Sequence, residues 1–138
     1  MNLVNGIIET TEIYGEKMMI ALVIDDNKQT TEALVQMLKI WDISARPAYG
    51  PSAAMKILSE ETPDIVFLDI NMPGVNGFEV LAYLRREPRL AGVPVIIVTS
   101  DDQPETTQRA LTGGANAVVL KPVMVTILEG ALKKAGIL

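Results

Sequence analysis

Four short runs of the chain are continuously apolar and rich in β-branched residues: Ile20-Ala21-Leu22-Val23-Ile24, Ile65-Val66-Phe67-Leu68, Val95-Ile96-Ile97-Val98 and Ala117-Val118-Val119-Leu120. This is the pattern of strands buried on both faces. Between the runs, apolar residues recur at helical spacing, as in Leu34, Leu38 and Trp41 and again in Val80, Leu81 and Leu84. Strand and helix alternate, and the connections are too long for hairpins. The pattern therefore predicts parallel strands joined by right-handed helical crossovers. A fifth strand is expected over Ile43 to Ala48, at an edge of the sheet, because Pro47 has no N–H to give to a ladder. Pro51 suits the first turn of the following helix, and Pro94 the start of a strand. A further helix is expected from about Pro104 to Gly113-Gly114, and a last one from about Val123 to Ala135.

Length and composition narrow the function. The 138 residues suit one domain with a substantial core, since 49% of them are hydrophobic. Twelve basic residues against 17 acidic ones give a formal charge of -5, which argues against direct nucleic-acid binding and against attraction to anionic lipid. There is no cysteine and no histidine, so thiolates, imidazole bases and the ordinary zinc ligand sets are excluded. The chemistry must come from carboxylates, hydroxyls and lysines. No apolar run approaches the roughly 20 residues that span a bilayer, and the first residues lack the pattern of a signal peptide. The expected location is cytoplasmic. The expected organisation is an extension over residues 1–17 and one domain over residues 18–138. Leu3, Val4, Ile7, Ile8 and Ile13 leave the extension two readings, terminal disorder or an extra helix packed on the domain or on a neighbouring chain.

In an open parallel sheet, ligands bind outside the carboxyl ends of the strands. Here the first strand runs into Asp25-Asp26, the third into Asp69, the fourth into Thr99-Ser100 and the last into Lys121-Pro122. Three carboxylates, a hydroxyl and an ammonium thus converge on one edge. The carboxylates repel one another unless a cation intervenes. Oxygen-only ligands favour a hard divalent ion, and few carboxylates with room for water suit Mg2+, with Mn2+ as another candidate. A carboxylate beside such an ion can attack phosphorus to give an acyl phosphate, whose oxygens the lysine and hydroxyl can hold. Each group taken alone has a plainer reading: Asp25-Asp26 as a helix cap, Asp69 and Thr99-Ser100 as turn formers, Lys121 as a solvated strand end. None of these explains the convergence. Met37, Met55 and Leu58 read as core packing, and Glu60-Glu61 and Lys133-Lys134 as solvated faces.

The ordered set resembles the response regulator receiver domain of two-component signalling, the CheY-like family. The likeness runs from about Met18 to the C-terminus and is carried by Asp25-Asp26, Asp69-Ile70-Asn71-Met72-Pro73 with Gly77, Thr99-Ser100, Gly114-Ala115 and Lys121-Pro122. It implies a flavodoxin-like, doubly wound five-stranded parallel sheet of order 2-1-3-4-5 with helices on both faces. It also implies Asp69 as phospho-acceptor, with Asp26, Asp69 and the Asn71 carbonyl as metal ligands and Asp25 acting through a metal-bound water. Thr99 would bond a phosphoryl oxygen, Lys121 would pair with Asp69 and then with the phosphate, and the Lys121-Pro122 peptide would be cis. The implied partners are a sensor histidine kinase or histidine phosphotransfer protein and a downstream target protein. The implied output surface, also the route to a homodimer, comprises the fourth helix, fifth strand and fifth helix. No attached effector domain is visible, and no turnover of an external substrate is expected.

Two positions depart from the family pattern. Val118 stands where Tyr or Phe is common, removing the aromatic half of the switch. Asp101, two residues after Thr99, has two readings, repelling a phosphoryl donor or orienting a hydrolytic water. The alternative function is a phosphorylation-independent adaptor of the same fold. A phosphatase using an aspartyl phosphate is disfavoured because Asp69-Ile70-Asn71 lacks a second aspartate. A dinucleotide enzyme is disfavoured because no Gly-x-Gly-x-x-Gly follows the first strand.

Overall fold

The computed structural model describes residues 18–138; the expected extension over residues 1–17 lies outside them. The elements alternate as β1 (Met19–Ile24), α1 (Lys28–Leu38), β2 (Ile43–Ala48), α2 (Pro51–Glu60), β3 (Ile65–Leu68), α3 (Gly77–Arg86), β4 (Val95–Thr99), α4 (Pro104–Thr112), β5 (Ala117–Leu120) and α5 (Val125–Lys134). The five strands form one parallel sheet in the order β2-β1-β3-β4-β5. This is the expected 2-1-3-4-5 order, and the Pro47 strand lies at an edge.

Strand alternation divides the core in two. Leu22, Ile24, Val66, Leu68, Val95 and Ile97 point to one face and pack with Leu58, Leu81, Leu84 and Ala110 from α2, α3 and α4. Ala21, Val23, Ile65, Phe67, Ile96, Val98 and Val119 point to the other and pack with Leu34, Leu38, Leu128 and Leu132 from α1 and α5. Continuous apolar runs are what a sheet covered on both faces requires.

Local departures from the sequence expectation have physical causes. Trp41 lies in a 3-10 turn, Lys39–Trp41, because α1 tightens after Leu38 and closes on Asp42, whose φ of 57° is left-handed. The last helix begins at Val125, two residues late, because Val123 turns into the core beside Lys121-Pro122. Met55 is exposed rather than packed in the core, whereas Leu58 is buried and Met37 packs against the core. A short antiparallel hairpin, Asn71–Met72 with Val75–Asn76, follows β3; its turn holds Gly74 at φ 73°.

Candidate phosphoryl site

The sheet's hydrogen bonding continues past the strand ends and sets the backbone of the site. Asp25 N–H donates to the Ala48 carbonyl at 3.1 Å, Asp69 N–H to that of Ile24 at 2.9 Å, and Lys121 N–H to that of Thr99 at 2.8 Å. The acidic, hydroxyl and basic residues therefore stand on adjacent strands at one edge.

Asp25 and Asp69 are buried, whereas Asp26 is exposed. One oxygen from each of the three carboxylates can be chosen so that all lie within 4.8 Å of one another. Asp25 Oδ1 accepts the Asn27 N–H at 2.9 Å. Asp69 Oδ1 accepts the Asn71 N–H at 3.1 Å. Lys121 Nζ lies 3.0 Å from Asp25 Oδ2 and 3.5 Å from Asp69 Oδ2, bridging the two buried acids. The Lys121-Pro122 peptide is cis, as the resemblance implies.

Burial raises the Asp69 carboxyl above the ordinary aspartate value, and the Asp25 charge adds to that rise; the Asn71 N–H and Lys121 oppose it. Three carboxylates against one ammonium leave the pocket short of positive charge. Asp25 Oδ2 is buried and, apart from its ion pair with Lys121, accepts no aligned hydrogen bond. A hard divalent cation fits such an oxygen-only donor set.

Thr99 is fully buried, and its Oγ1 accepts the Asp101 N–H at 3.1 Å and the Asn71 side-chain amide at 3.4 Å. Asp101 has a structural task of its own at the start of α4. Its Oδ1 accepts the Gln103 N–H at 2.9 Å, and its Oδ2 accepts the Thr106 hydroxyl at 2.7 Å. These donors hold its carboxyl below the ordinary value, and the side chain organises the entry to α4. Val118 is half-buried and packs against the core beneath α2, α3 and α4.

Two supporting residues escape the sequence reading, and a third gains its reason from the structure. Asn27 caps α1 by accepting the Thr30 N–H at 3.0 Å, a signal that an Asn before the helix does supply. Thr31 is buried, and its hydroxyl donates to the Asn27 carbonyl at 2.9 Å; only the folded loop shows this. Gly77 belongs to the resemblance, and the fold shows why a glycine stands there. A Cβ at this position would overlap the backbone of Asp69 and Ile70.

Residues 21–133 match the family model of the response regulator receiver domain. The chain belongs to this family. PilH of Pseudomonas aeruginosa is 32% identical over 102 residues, 74% of this chain and 84% of that protein. The two-component response regulator ORR8 of Oryza sativa is 30% identical over 113 residues, 81% of this chain and 93% of that protein. RcaC of Microchaete diplosiphon is 31% identical over 102 residues, but the chain spans only 16% of its length. The fold is that of the Vibrio cholerae chemotaxis protein CheY4, with a TM-score of 0.79 at 23% identity over 86% of this chain and 99% of that one. The signal receiver domain of a DNA-binding response regulator from Colwellia psychrerythraea superposes with a TM-score of 0.78 at 30% identity, covering 84% and 96% of the two chains. In this receiver domain, the sequence-predicted residues Asp25, Asp26, Asp69, Thr99 and Lys121 all stand at the carboxyl edge of the sheet. Asn71 joins them through its N–H to Asp69 and its amide to Thr99.

Proposed function

We propose that the chain is a phospho-acceptor switch in which Asp69 takes a phosphoryl group from the phosphohistidine of a sensor histidine kinase or histidine phosphotransfer protein. The observation that carries this reading is the lysine bridge: Lys121 Nζ sits between buried Asp25 and buried Asp69 in a pocket of three carboxylates. An Asp69 oxygen attacks phosphorus as the P–N bond to imidazole breaks. The electron pair leaves on the ring nitrogen, and the product is an acyl phosphate on Asp69. Lys121 holds a phosphoryl oxygen through a charge-assisted bond, and Thr99 donates its hydroxyl to another. Asp26, Asp69 and the Asn71 carbonyl, with Asp25 behind them, would hold Mg2+ or another divalent cation such as Mn2+. When bound, that ion neutralises charge on the carboxylates and the phosphoryl oxygens. No external substrate is turned over, so the domain modifies itself and signals rather than acting as a conventional enzyme.

Phosphorylation shifts an existing equilibrium by favouring one state. The output face is α4, β5 and α5, where Leu111, Leu120, Met124 and Ile127 are exposed and β5 is an edge strand. That face suits a downstream target protein or a second copy of the chain. Among the described residues no helix is long and apolar enough to cross a membrane, which agrees with a cytoplasmic setting. Val118 favours one second reading, an adaptor that binds its target regardless of phosphorylation.

The test is intact mass after incubation with Mg2+ and a small phosphoryl donor. The wild type is expected to gain one phosphoryl group, and to gain none once the metal is chelated. No gain by the wild type would sink the proposal. A phosphorylated form that binds its target no better than the unmodified one would establish the adaptor reading.

A further inference from the structure

Thr99 ends β4, a strand buried at every position, and is itself fully buried. Its γ-oxygen carries two lone pairs and one hydrogen. Both lone pairs are engaged, one by the Asp101 N–H at 3.1 Å and the other by the Asn71 side-chain amide at 3.4 Å. Among the described residues, Thr99 Oγ1 enters hydrogen bonds only as an acceptor. Its hydrogen is therefore left over inside the fold, where an unmatched polar group is costly until an acceptor arrives.

The two donors differ in origin. The Asp101 N–H, two residues on, makes the local turn that serine and threonine form with their own backbone. Asn71 lies 28 residues away in sequence, on the short hairpin after β3. Its own N–H donates to Asp69 Oδ1 at 3.1 Å. One residue thus touches both the carboxylate that takes phosphorus and the hydroxyl that holds a phosphoryl oxygen, with its main chain on the first and its side chain on the second.

We propose that the Asn71 side-chain amide is a positioning group for phosphoryl transfer. Together with the Asp101 N–H it fills the acceptor sites of Thr99 Oγ1 and leaves the hydroxyl's one hydrogen for a phosphoryl oxygen. The inference rests on the phospho-acceptor reading and adds a side-chain role to Asn71, whose carbonyl needs only main chain to face a metal.

The experiment is a double-mutant cycle on the full chain. It reads the initial rate of phosphoryl uptake from acetyl phosphate in Mg2+, in which an Asp69 oxygen bonds phosphorus as the donor's P–O bond breaks and acetate leaves. Asn71→Ala keeps the N–H to Asp69 and the main-chain carbonyl. It is expected to slow uptake about threefold, a modest loss because the contact, at 3.4 Å, is a long one. In a Thr99→Val background, or Thr99→Ala should the valine not fold, the same change is expected to slow uptake no further. In Thr99→Ser, which keeps a hydroxyl, the slowing should return. An Asn71→Ala rate equal to that of the wild type overturns the proposal. Equal slowing with and without the hydroxyl also overturns it, because Asn71 would then act apart from Thr99. A wild type that takes up no phosphoryl group is a different result, which removes the phospho-acceptor reading and this role with it.

Discussion

At the residue scale, Asp69 is a carboxylate kept where a carboxylate is costly. Burial and Asp25 raise its pKa above the ordinary 3.8. The folded state therefore favours the protonated form. That contribution to stability is complete below the ordinary value and is lost as pH rises through the folded pKa. Asp69→Asn removes the ionisation, so the variant is expected to melt at a higher temperature than the wild type at neutral pH. The gap should close as pH falls below the ordinary aspartate value. Thermal melts of both proteins across that range check this, and a gap that widened on acidification would contradict it. The gathering of Asp69, Asp25, Thr99 and Lys121 at one edge was legible in the sequence, because each lies at or just past an apolar run at a strand's carboxyl end. Their inequality was not: Asp25 is buried and Asp26 exposed, and adjacent acids differ in this way only once a backbone direction exists. Asp101 shows the same limit. Sequence places it two residues after Thr99, while its hydrogen bonds to Gln103 and Thr106, which tie it to α4, appear only in the fold.

At the scale of elements, the ends of β1, β3 and β5 are fixed by a ladder bond running one residue beyond the strand, and the hairpin after β3 brings Gly77 against the Asp69 backbone. Gly77→Ala is expected to cost about 1–3 kcal/mol through overpacking at a point where the neighbour is main chain and cannot turn aside. Because the displaced backbone is that of Asp69, phosphoryl uptake should fall with it. Denaturant midpoints together with uptake rates measure both effects, and a Gly77→Ala variant of unchanged stability and rate would refute the close approach. Two helices were legible from apolar spacing and the others from their boundary residues, four strands from continuous apolar runs, and the edge position of the fifth from Pro47. The hairpin was not, since Asn71-Met72-Pro73-Gly74 reads as a turn and its two-residue strands are too short to show alternation. The late start of α5 was hidden for a similar reason: Val123 has helical neighbours, and its burial depends on the Lys121-Pro122 turn.

At the scale of the whole molecule, the sheet separates two ends and two faces. The acidic pocket lies at the carboxyl end, and β5 offers an exposed edge between α4 and α5. Val118 and Ile127 border a groove of about 200 Å³ along that edge. The proposed switch needs a route from Thr99 to this face, and β4 is paired with β5 residue by residue, Ile97 with Val118 and Thr99 with Leu120. Val118→Tyr is expected to change target binding while leaving the rate of phosphoryl uptake unaltered; paired binding and uptake measurements check this, and a changed uptake rate with unchanged binding would contradict it. The parallel sheet and its crossovers were legible in the residues, whereas the strand order came from the family resemblance, and the sheet bears it out. The proposed output face came only from the family resemblance, since exposure of Leu120 and Met124 is a property of the assembled surface.

The switch depends on Asp69 being the acceptor, and the most direct measurement is to find where the phosphoryl group goes. After phosphorylation in Mg2+, borohydride reduction converts an aspartyl phosphate to homoserine, which peptide mass analysis can locate. Homoserine is expected at position 69 alone. Homoserine at position 25 or 26, or a phosphoryl group retained on Thr99 or Ser100, would contradict the assignment.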